Sequence, residues 1–231
     1  MSAAVMMTVS LRESRMVLER LMQVARVPEG LVASLRDCAL YSAALQLGGF
    51  PVLKGNLQAL NGVDPSRMTL AGADTLDAAG LHAWFVAEAA TDLAVAAVRS
   101  GEANVVRVAN VTQPAELGVV AALAHAHGFV AAVACESADR ATIALQPAKA
   151  TDESPLDRIR RYGLPVSAEL WWDLFHKSAA ALATDTVESR RHAGPIIVAE
   201  DGRVVGRQDD DETDFSLLTS GTKAPLTNPA A

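Results

Sequence analysis

The sequence predicts an α/β protein with an N-terminal helical hairpin, a central mixed sheet that contains a strand-helix-strand unit, and a C-terminal helix with a β-hairpin. Half of the 231 residues are hydrophobic but only 4% are aromatic, which is typical of small and β-branched side chains packed between helices and a sheet. Apolar residues recur at helical spacing near the N-terminus, and short apolar runs alternate with helical segments after position 80.

Two helices are predicted at the N-terminus. The first spans about 10–26, because Ser10 and Glu13 have the spacing of a capping box, in which each side chain accepts a hydrogen bond from the other residue's backbone amide. Pro28 ends it. The second spans about 29–47 and stops at the glycine pair 48–49. Their apolar positions predict an antiparallel hairpin.

The middle of the chain has the most regular pattern. It predicts a helix over 81–100, a strand over 104–110, a helix over 114–127 and strands over 129–136 and 140–146. A crossover of this length predicts that the strands 104–110 and 129–136 run parallel and are linked by a right-handed connection. Because polar alternation is absent from 129–136, we expect that strand to be buried on both faces.

Weaker patterns follow in the last third of the chain. A polar stretch at 148–155 is interpreted as a linker, and a helix is predicted over about 167–184. The Asp-Gly pair at 201–202 predicts a hairpin that joins 196–199 to 203–206.

The predicted elements divide into three segments. Residues 1–147 form the helical hairpin and α/β core, 148–206 a helix and hairpin packed on that core, and 207–231 an acidic tail.

Charge and hydropathy exclude several classes of partner. A formal charge of −7 with no basic stripe argues against nucleic acid. The uncharged stretch 117–135 is broken by His125, His127 and Gly128, so no membrane span is predicted. The N-terminus lacks the basic start of a secretory signal, which predicts a cytoplasmic protein. Cys38 and Cys135, both in apolar surroundings, are expected to be buried free thiols and not a disulfide or a metal pair.

Several scaffold motifs carry a resemblance to a known family. Gly80-Leu81, the run 105–110 ending in Asn110, Leu117-Gly118, the run 128–133 and Gly163-Leu-Pro-Val166 are similar to the malate/L-lactate dehydrogenase family with its non-Rossmann NAD(P)H fold. The resemblance implies a dimer that oxidises 2-hydroxy acids or reduces keto or imino acids, with a histidine as acid and base.

The motifs that would carry that chemistry are not matched. Gln113 stands where the resemblance places a histidine, and 45–50 replaces the family's Asp-Ser-His-Gly. Most of the segment that would hold the nicotinamide is also missing, so we expect no cofactor, with NAD(P) as the alternative. The resemblance implies that Asn110 and Gln113 bind the ligand.

A second resemblance is to a smaller bacterial family of uncharacterised function. It is carried by 188–194 and the acidic tail 209–215. It implies no activity.

The densest basic group is the candidate ligand site. Arg190 and Arg191 beside His192 could grip a carboxylate or phosphate. Alternatively, they pair with the acidic tail at 209–214 and hold it to the body of the protein. That tail could also hold calcium or magnesium, but it lacks the glycine turn of a calcium-binding loop, so a solvated acidic run is the preferred interpretation and no metal is expected.

Two functions follow from these patterns. The first is a small-molecule binding or accessory protein with a small anionic, carboxylate ligand, acting alone or as a subunit of an enzyme complex. The second is an active enzyme, either a reduced NAD(P)-dependent oxidoreductase or one doing other acid/base chemistry, with His192 or His82 as the catalytic group. We expect a homodimer or larger assembly, because the helices at 81–100 and 171–182 carry more apolar surface than one thin sheet can cover.

Overall fold

The computed structural model describes residues 4–101, 105–149, 151–182, 196–198 and 204–206. The chain divides into two compact units, Met1–Leu182 and Ala183–Ala231. The first unit has the predicted α/β architecture and contains the helical hairpin, the mixed sheet and the helix that the sequence places at 167–184.

The N-terminal hairpin consists of α1 (Leu11–Val24) and α2 (Val32–Ala44), which pack against each other. The capping box is confirmed: the Glu13 amide donates to Ser10 Oγ at 3.2 Å, and the Ser10 amide donates to Glu13 Oε2 at 3.0 Å. Beyond α2 the glycine pair begins a further helix, α3 (Gly49–Asn56), which the sequence did not predict. Pro51 is compatible with it because it lies in the first turn, where no amide donor is needed.

The central sheet has five strands in the order β2-β3-β4-β6-β5. Among neighbouring strands, β3 and β4 pair parallel and the other pairs are antiparallel. The strands are β2 (Thr69–Gly72), β3 (Thr75–Asp77), β4 (Val105–Ala109), β5 (Phe129–Ser137) and β6 (Arg140–Pro147).

Two helices cover one face of this sheet. The long helix α4 (Ala83–Ser100) connects the parallel strands β3 and β4. A 3-10 turn at Pro114–Val119 leads into α5 (Val120–Ala126), which packs on β5 and against α4. The core lies beneath these helices, where the sheet contributes Val106, Val108 and Ile143. On the opposite face, which we call the open face, alternate side chains of the strands such as Val105, Arg107, Ala132 and Ala134 are exposed.

The parallel orientation predicted for 104–110 and 129–136 is confirmed, since β4 and β5 both run antiparallel to β6. The two strands are not neighbours, because β6 returns through a tight turn and inserts between them, which makes β5 an edge strand. The expected burial of β5 on both faces is wrong, since Ala132 and Ala134 are exposed, and Cys135 is exposed rather than the buried thiol that the sequence predicted. Alanine is small enough to lie on either face of a sheet, and a run of alanine and valine therefore conceals the alternation that normally marks a solvent-facing strand.

The predicted linker at 148–155 ends in a helix, α6 (Pro155–Tyr162), whose N-terminus is capped by Ser154 through a 3.2 Å bond from the Leu156 amide. It is followed by β7 (Leu164–Ser167), which pairs antiparallel with an unpredicted strand near the N-terminus, β1 (Met6–Val9). The predicted helix over 167–184 is α7 (Ala168–Ser178), extended by a 3-10 turn.

In the second unit the predicted hairpin is confirmed, because β8 (Ile196–Val198) pairs antiparallel with β9 (Val204–Gly206). Its turn, the residues Arg190, Arg191 and His192, and the acidic tail lie outside the described residues. Within the described part of the chain, no helix is long and apolar enough to cross a bilayer.

Candidate functional site

The candidate site lies where the two parallel strands end. After β3 and β4 the chain continues as two adjacent segments that exchange backbone hydrogen bonds. The Ala78 amide donates to Ala109 O at 2.8 Å, and the Ala83 amide donates to Thr112 O at 3.0 Å. This ladder places His82 beside Thr112, at the first turn of α4. The carboxyl end of parallel strands is where α/β proteins commonly bind small molecules.

A cleft of about 370 Å³ opens at this point, and we call it the strand-end cleft. Its walls come from the end of α3, the loop that follows, the turn after β3, and the first turn of α4. The polar side chains that line it are Asn56, Asn61, Asp64, Arg67, His82 and Thr112, and Leu81 and Phe85 are among the apolar ones. Its size and mixed lining suit a small polar molecule.

His82 uses both ring nitrogens. Its Nδ1 accepts the Trp84 amide at 3.2 Å and so caps α4, and its Nε2 lies 3.0 Å from Gln113 Oε1. Because Nδ1 accepts, the hydrogen-bond network assigns the proton of the neutral ring to Nε2, which donates to the amide oxygen. Burial lowers the pKa of His82, while the bond to Gln113 and the charge of Glu116 oppose that shift. Burial and the bond from the Trp84 amide to Nδ1 therefore favour the neutral imidazole.

Gln113 is held in a fixed position beside the cleft. Its Oε1 accepts from His82 and also from Asn56 Nδ2 at 3.3 Å, so the side-chain oxygen has two donors. The backbone of Gln113 is left-handed, with φ at 56°, a conformation that costs a non-glycine residue about 1–2 kcal/mol. The structure thus brings together two residues, Gln113 and His82, that the sequence singled out on separate grounds.

Asn110, the other predicted ligand residue that the structure describes, shapes the turn after β3. Its Nδ2 donates to Asp77 Oδ1 at 3.0 Å, and the same oxygen accepts the Ala79 amide at 2.8 Å. These two bonds lower the pKa of Asp77, the one from the Ala79 amide more strongly. Asn110 does not line the strand-end cleft and instead fixes the turn that leads to His82.

A buried carboxylate, Glu116, anchors the segment that carries Gln113. The residue is only 4% exposed and accepts three hydrogen bonds: from Ser42 Oγ at 2.6 Å, from the Gly48 amide at 2.7 Å and from Trp84 Nε1 at 3.0 Å. Ser42 Oγ in turn accepts the Gly49 amide at 2.7 Å. These hydrogen bonds join the end of α2 and the start of α3 to α4. They therefore fix the relative positions of the helices around the site.

Glycine is required at position 48 by this anchor. A Cβ atom there would lie 2.5 Å from Glu116 Oε1 and 2.0 Å from a side-chain carbon of Val52. Sequence reasoning missed Glu116. The available signal was an isolated acidic residue, with the next charged residue along the chain at 136.

Arg67 is the second residue that sequence reasoning missed. It ends a 3-10 turn, Pro65–Arg67, whose start is capped by Asp64 through a 3.0 Å bond from the Ser66 amide. Its guanidinium donates to Ala79 O at 3.1 Å, and within the described chain it forms no salt bridge. It is the cationic side chain of the strand-end cleft. No motif or cluster of charges marks Arg67 in the sequence.

A scan against protein-family models finds no match, and a search of curated proteins finds no relative of this chain. The resemblance to the malate/L-lactate dehydrogenases therefore stays a prediction. Among the residues that the structure describes, no three histidine, cysteine or acidic side chains come together as a metal-ligand set.

The histidine contacts predict a pH dependence. Since the folded-state pKa of His82 lies below its ordinary value of 6.5, the unfolded chain takes up this proton more readily. The stability that the protein has with neutral His82 is complete above pH 6.5. It is lost as the pH falls from 6.5 through the folded-state pKa of His82. We expect the wild type to lose more unfolding free energy between about pH 7.5 and about pH 5.5 than a His82→Asn variant, by up to about 1.4 kcal/mol per pH unit for one proton.

Urea unfolding at the two pH values measures this difference. His127→Asn, which changes an exposed histidine, is the control and should behave as the wild type does. Equal losses in the wild type and His82→Asn would argue against a buried, neutral His82.

Proposed function

We propose that this chain is a small-molecule binding or accessory protein whose ligand carries a carboxylate that binds Arg67 in the strand-end cleft. The observation that supports this best is the guanidinium itself, which lines the cleft and forms no salt bridge among the described residues. Hydrogen bonds from Ser66 lower the pKa of the nearby Asp64 carboxyl, and the charge of Arg67 lowers that pKa further. A guanidinium presents paired donors that match the two oxygens of a carboxylate. The predicted group at 190–192 stays a separate proposal for the same kind of ligand.

The rest of the lining restricts the ligand. Asn61 and Thr112 offer side-chain hydrogen-bond groups, and Leu81 and Phe85 offer apolar contact for a short carbon skeleton. Asp64 also lines the cleft and would repel a second negative charge on the ligand. We therefore expect monocarboxylates to bind better than dicarboxylates of similar size.

The first experiment is a thermal-shift screen of the purified chain with hydroxy, keto and amino monocarboxylates and with matched dicarboxylates. A ligand at about 100 times its Kd stabilises the native state by about 2.7 kcal/mol, which raises the melting temperature. The proposal requires at least one monocarboxylate to do so. Stabilisation by NADH or NADPH alone would favour the alternative, a reduced NAD(P)-dependent oxidoreductase.

One observation bears on that alternative. In the neutral form His82 donates its one N–H to Gln113 and accepts the Trp84 amide with the other nitrogen, so it lacks the second proton that a histidine acting as general acid would give to a substrate. Proton transfer to a substrate would require the ring to leave Gln113. The Gln113 amide cannot replace the ring, because an amide does not exchange a proton near neutral pH.

We accordingly expect no catalytic hydride transfer between NAD(P)H and 2-keto acids. Loss of a positioned general acid lowers a rate by about 10²–10⁴-fold. The test follows cofactor absorbance in mixtures of the protein with NADH or NADPH and pyruvate, oxaloacetate or a cyclic imino acid. Turnover near about 10 per second, an ordinary enzyme's rate, would contradict this expectation.

A further inference from the structure

The two edges of the central sheet differ. One edge is β2, which has only four residues and a register shift between Leu70 and Gly72. The other is β5, nine residues long, which pairs regularly with β6 from Phe129 to Cys135 before its register shifts. Short and bulged strands are the means by which proteins prevent further strand pairing at a sheet edge. Only the β2 edge is protected in this way.

The composition of β5 leaves its outer edge open to pairing. Its sequence contains no lysine, arginine or proline, and its one charged residue, Glu136, lies beyond the regular part. Such residues normally block an edge strand. In the described part of the chain no strand pairs with this outer edge.

An apolar rim accompanies the open edge on the helix-covered side of the sheet. Phe129, Ala131 and Val133 point to that side and are only partly buried, as is Leu123 of the adjoining helix α5. By contrast, the long helix α4 is largely covered within the chain, and Trp84 and Val86 are fully buried. The helix at 81–100 therefore uses most of its apolar surface inside the chain, whereas in the other predicted helix, 171–182, Trp172 remains 48% exposed.

We propose that β5 pairs antiparallel with β5 of a second copy of this chain, so that the two sheets join edge to edge. A second copy fits because a two-fold axis perpendicular to the sheet places the same uncharged strand against itself. That axis also brings the two apolar rims together on one side. The regular seven residues span about 23 Å at the usual rise of a strand. A contact of this length is at the small end of specific interfaces, so we expect a weak dimer whose population depends on protein concentration.

The test is light scattering of the full chain over a concentration series up to a few hundred micromolar. The expected mass rises toward twice 24.2 kDa with concentration. The variant that should stay monomeric is Ala132→Lys with Ala134→Lys, since both positions are exposed on β5 and lysines there would face like charges of the second copy.

A matched control lies one strand inward. Ala144 and Thr142 on β6 are the register partners of Ala132 and Ala134 and lie on the same open face. The double variant Ala144→Lys with Thr142→Lys therefore adds the same charge without touching the edge, and it should still dimerise. Dissociation of this control with retention of the edge variant as a dimer would overturn the proposal in favour of packing through the open face.

A wild-type monomer throughout the concentration series would also overturn it, as expected if another segment of this chain occupies the edge. Hydrogen exchange of the wild type provides a measurement that does not depend on how the variants fold. Amides in 129–135 should exchange more slowly at high than at low protein concentration. Exchange independent of concentration would contradict pairing through β5.

Discussion

Replacing Glu116 with alanine is expected to lower the free energy of unfolding by about 3–5 kcal/mol. The substitution removes the acceptor of three donors and leaves Trp84 Nε1 and Ser42 Oγ buried without it. Each unsatisfied buried donor costs about 1–3 kcal/mol, and the cavity left by the side chain adds to this. A loss of this size is a large fraction of the stability of an ordinary domain.

Two further variants separate the hydrogen bonds from a general effect of substitution. The free energy of unfolding of Glu116→Gln should lie between those of the wild type and Glu116→Ala. The amide keeps one acceptor oxygen, but its NH₂ group faces one of the existing donors. Glu88→Ala, at an exposed position of α4, should leave stability within about 0.5 kcal/mol of the wild type. Urea unfolding followed by circular dichroism gives the three values. A Glu116→Ala protein as stable as the Glu88→Ala protein would show that the network does not hold the helices together.

The second large effect is expected at Arg67. Replacing it with glutamine should weaken binding of a monocarboxylate by about 10–100-fold, since hydrogen bonds to charged groups contribute about 1.5–3 kcal/mol. Stability should change little, because Arg67 is exposed and its one hydrogen bond in the described chain is to Ala79 O. Isothermal titration calorimetry of the ligand found by thermal shift measures the difference in Kd.

Arg12→Gln is the matched control for that titration. It makes the same chemical change at an exposed position of α1, which does not line the strand-end cleft. Its Kd should equal that of the wild type. Equal weakening in both variants would indicate a general effect of net charge, and no weakening in Arg67→Gln would remove this residue from the ligand site.

The sequence predicted those elements that are determined by residues close together in the chain. The capping box at Ser10 and Glu13 and the apolar spacing of α1 require only residues within a few turns. The hairpin of β8 and β9 was likewise predictable from its turn residues. Such elements can be recognised locally, because their backbone hydrogen bonds join residues that are close together in sequence.

The features that were missed depend on residues far apart in sequence. β1 pairs with β7, about 160 residues later, and neither short strand is recognisable alone. The position of β6 between the two parallel strands β4 and β5 depends on pairing across the sheet, which the local pattern of β6 does not reveal. The tertiary fold decides both outcomes.

The candidate site was predictable only in part for the same reason. His82 and Gln113 could be named from the sequence, but their contact depends on the backbone ladder after β3 and β4. Arg67 has no motif of its own and enters the strand-end cleft because the loop after α3 folds back over the turn at Ala79. A side chain of this kind becomes a site residue only through the fold.

The location of the ligand tests the proposed function most directly. In a ¹H–¹⁵N NMR titration of the wild-type chain with a stabilising monocarboxylate, we expect the shifted signals to come from Asn56, Arg67, His82 and Thr112, the last including its backbone amide, which donates to Leu81 O. The same titration of Arg67→Gln should need about 10–100-fold more ligand to produce the same shifts. Shifts confined to residues outside the strand-end cleft, or none with any monocarboxylate, would contradict carboxylate binding at this site.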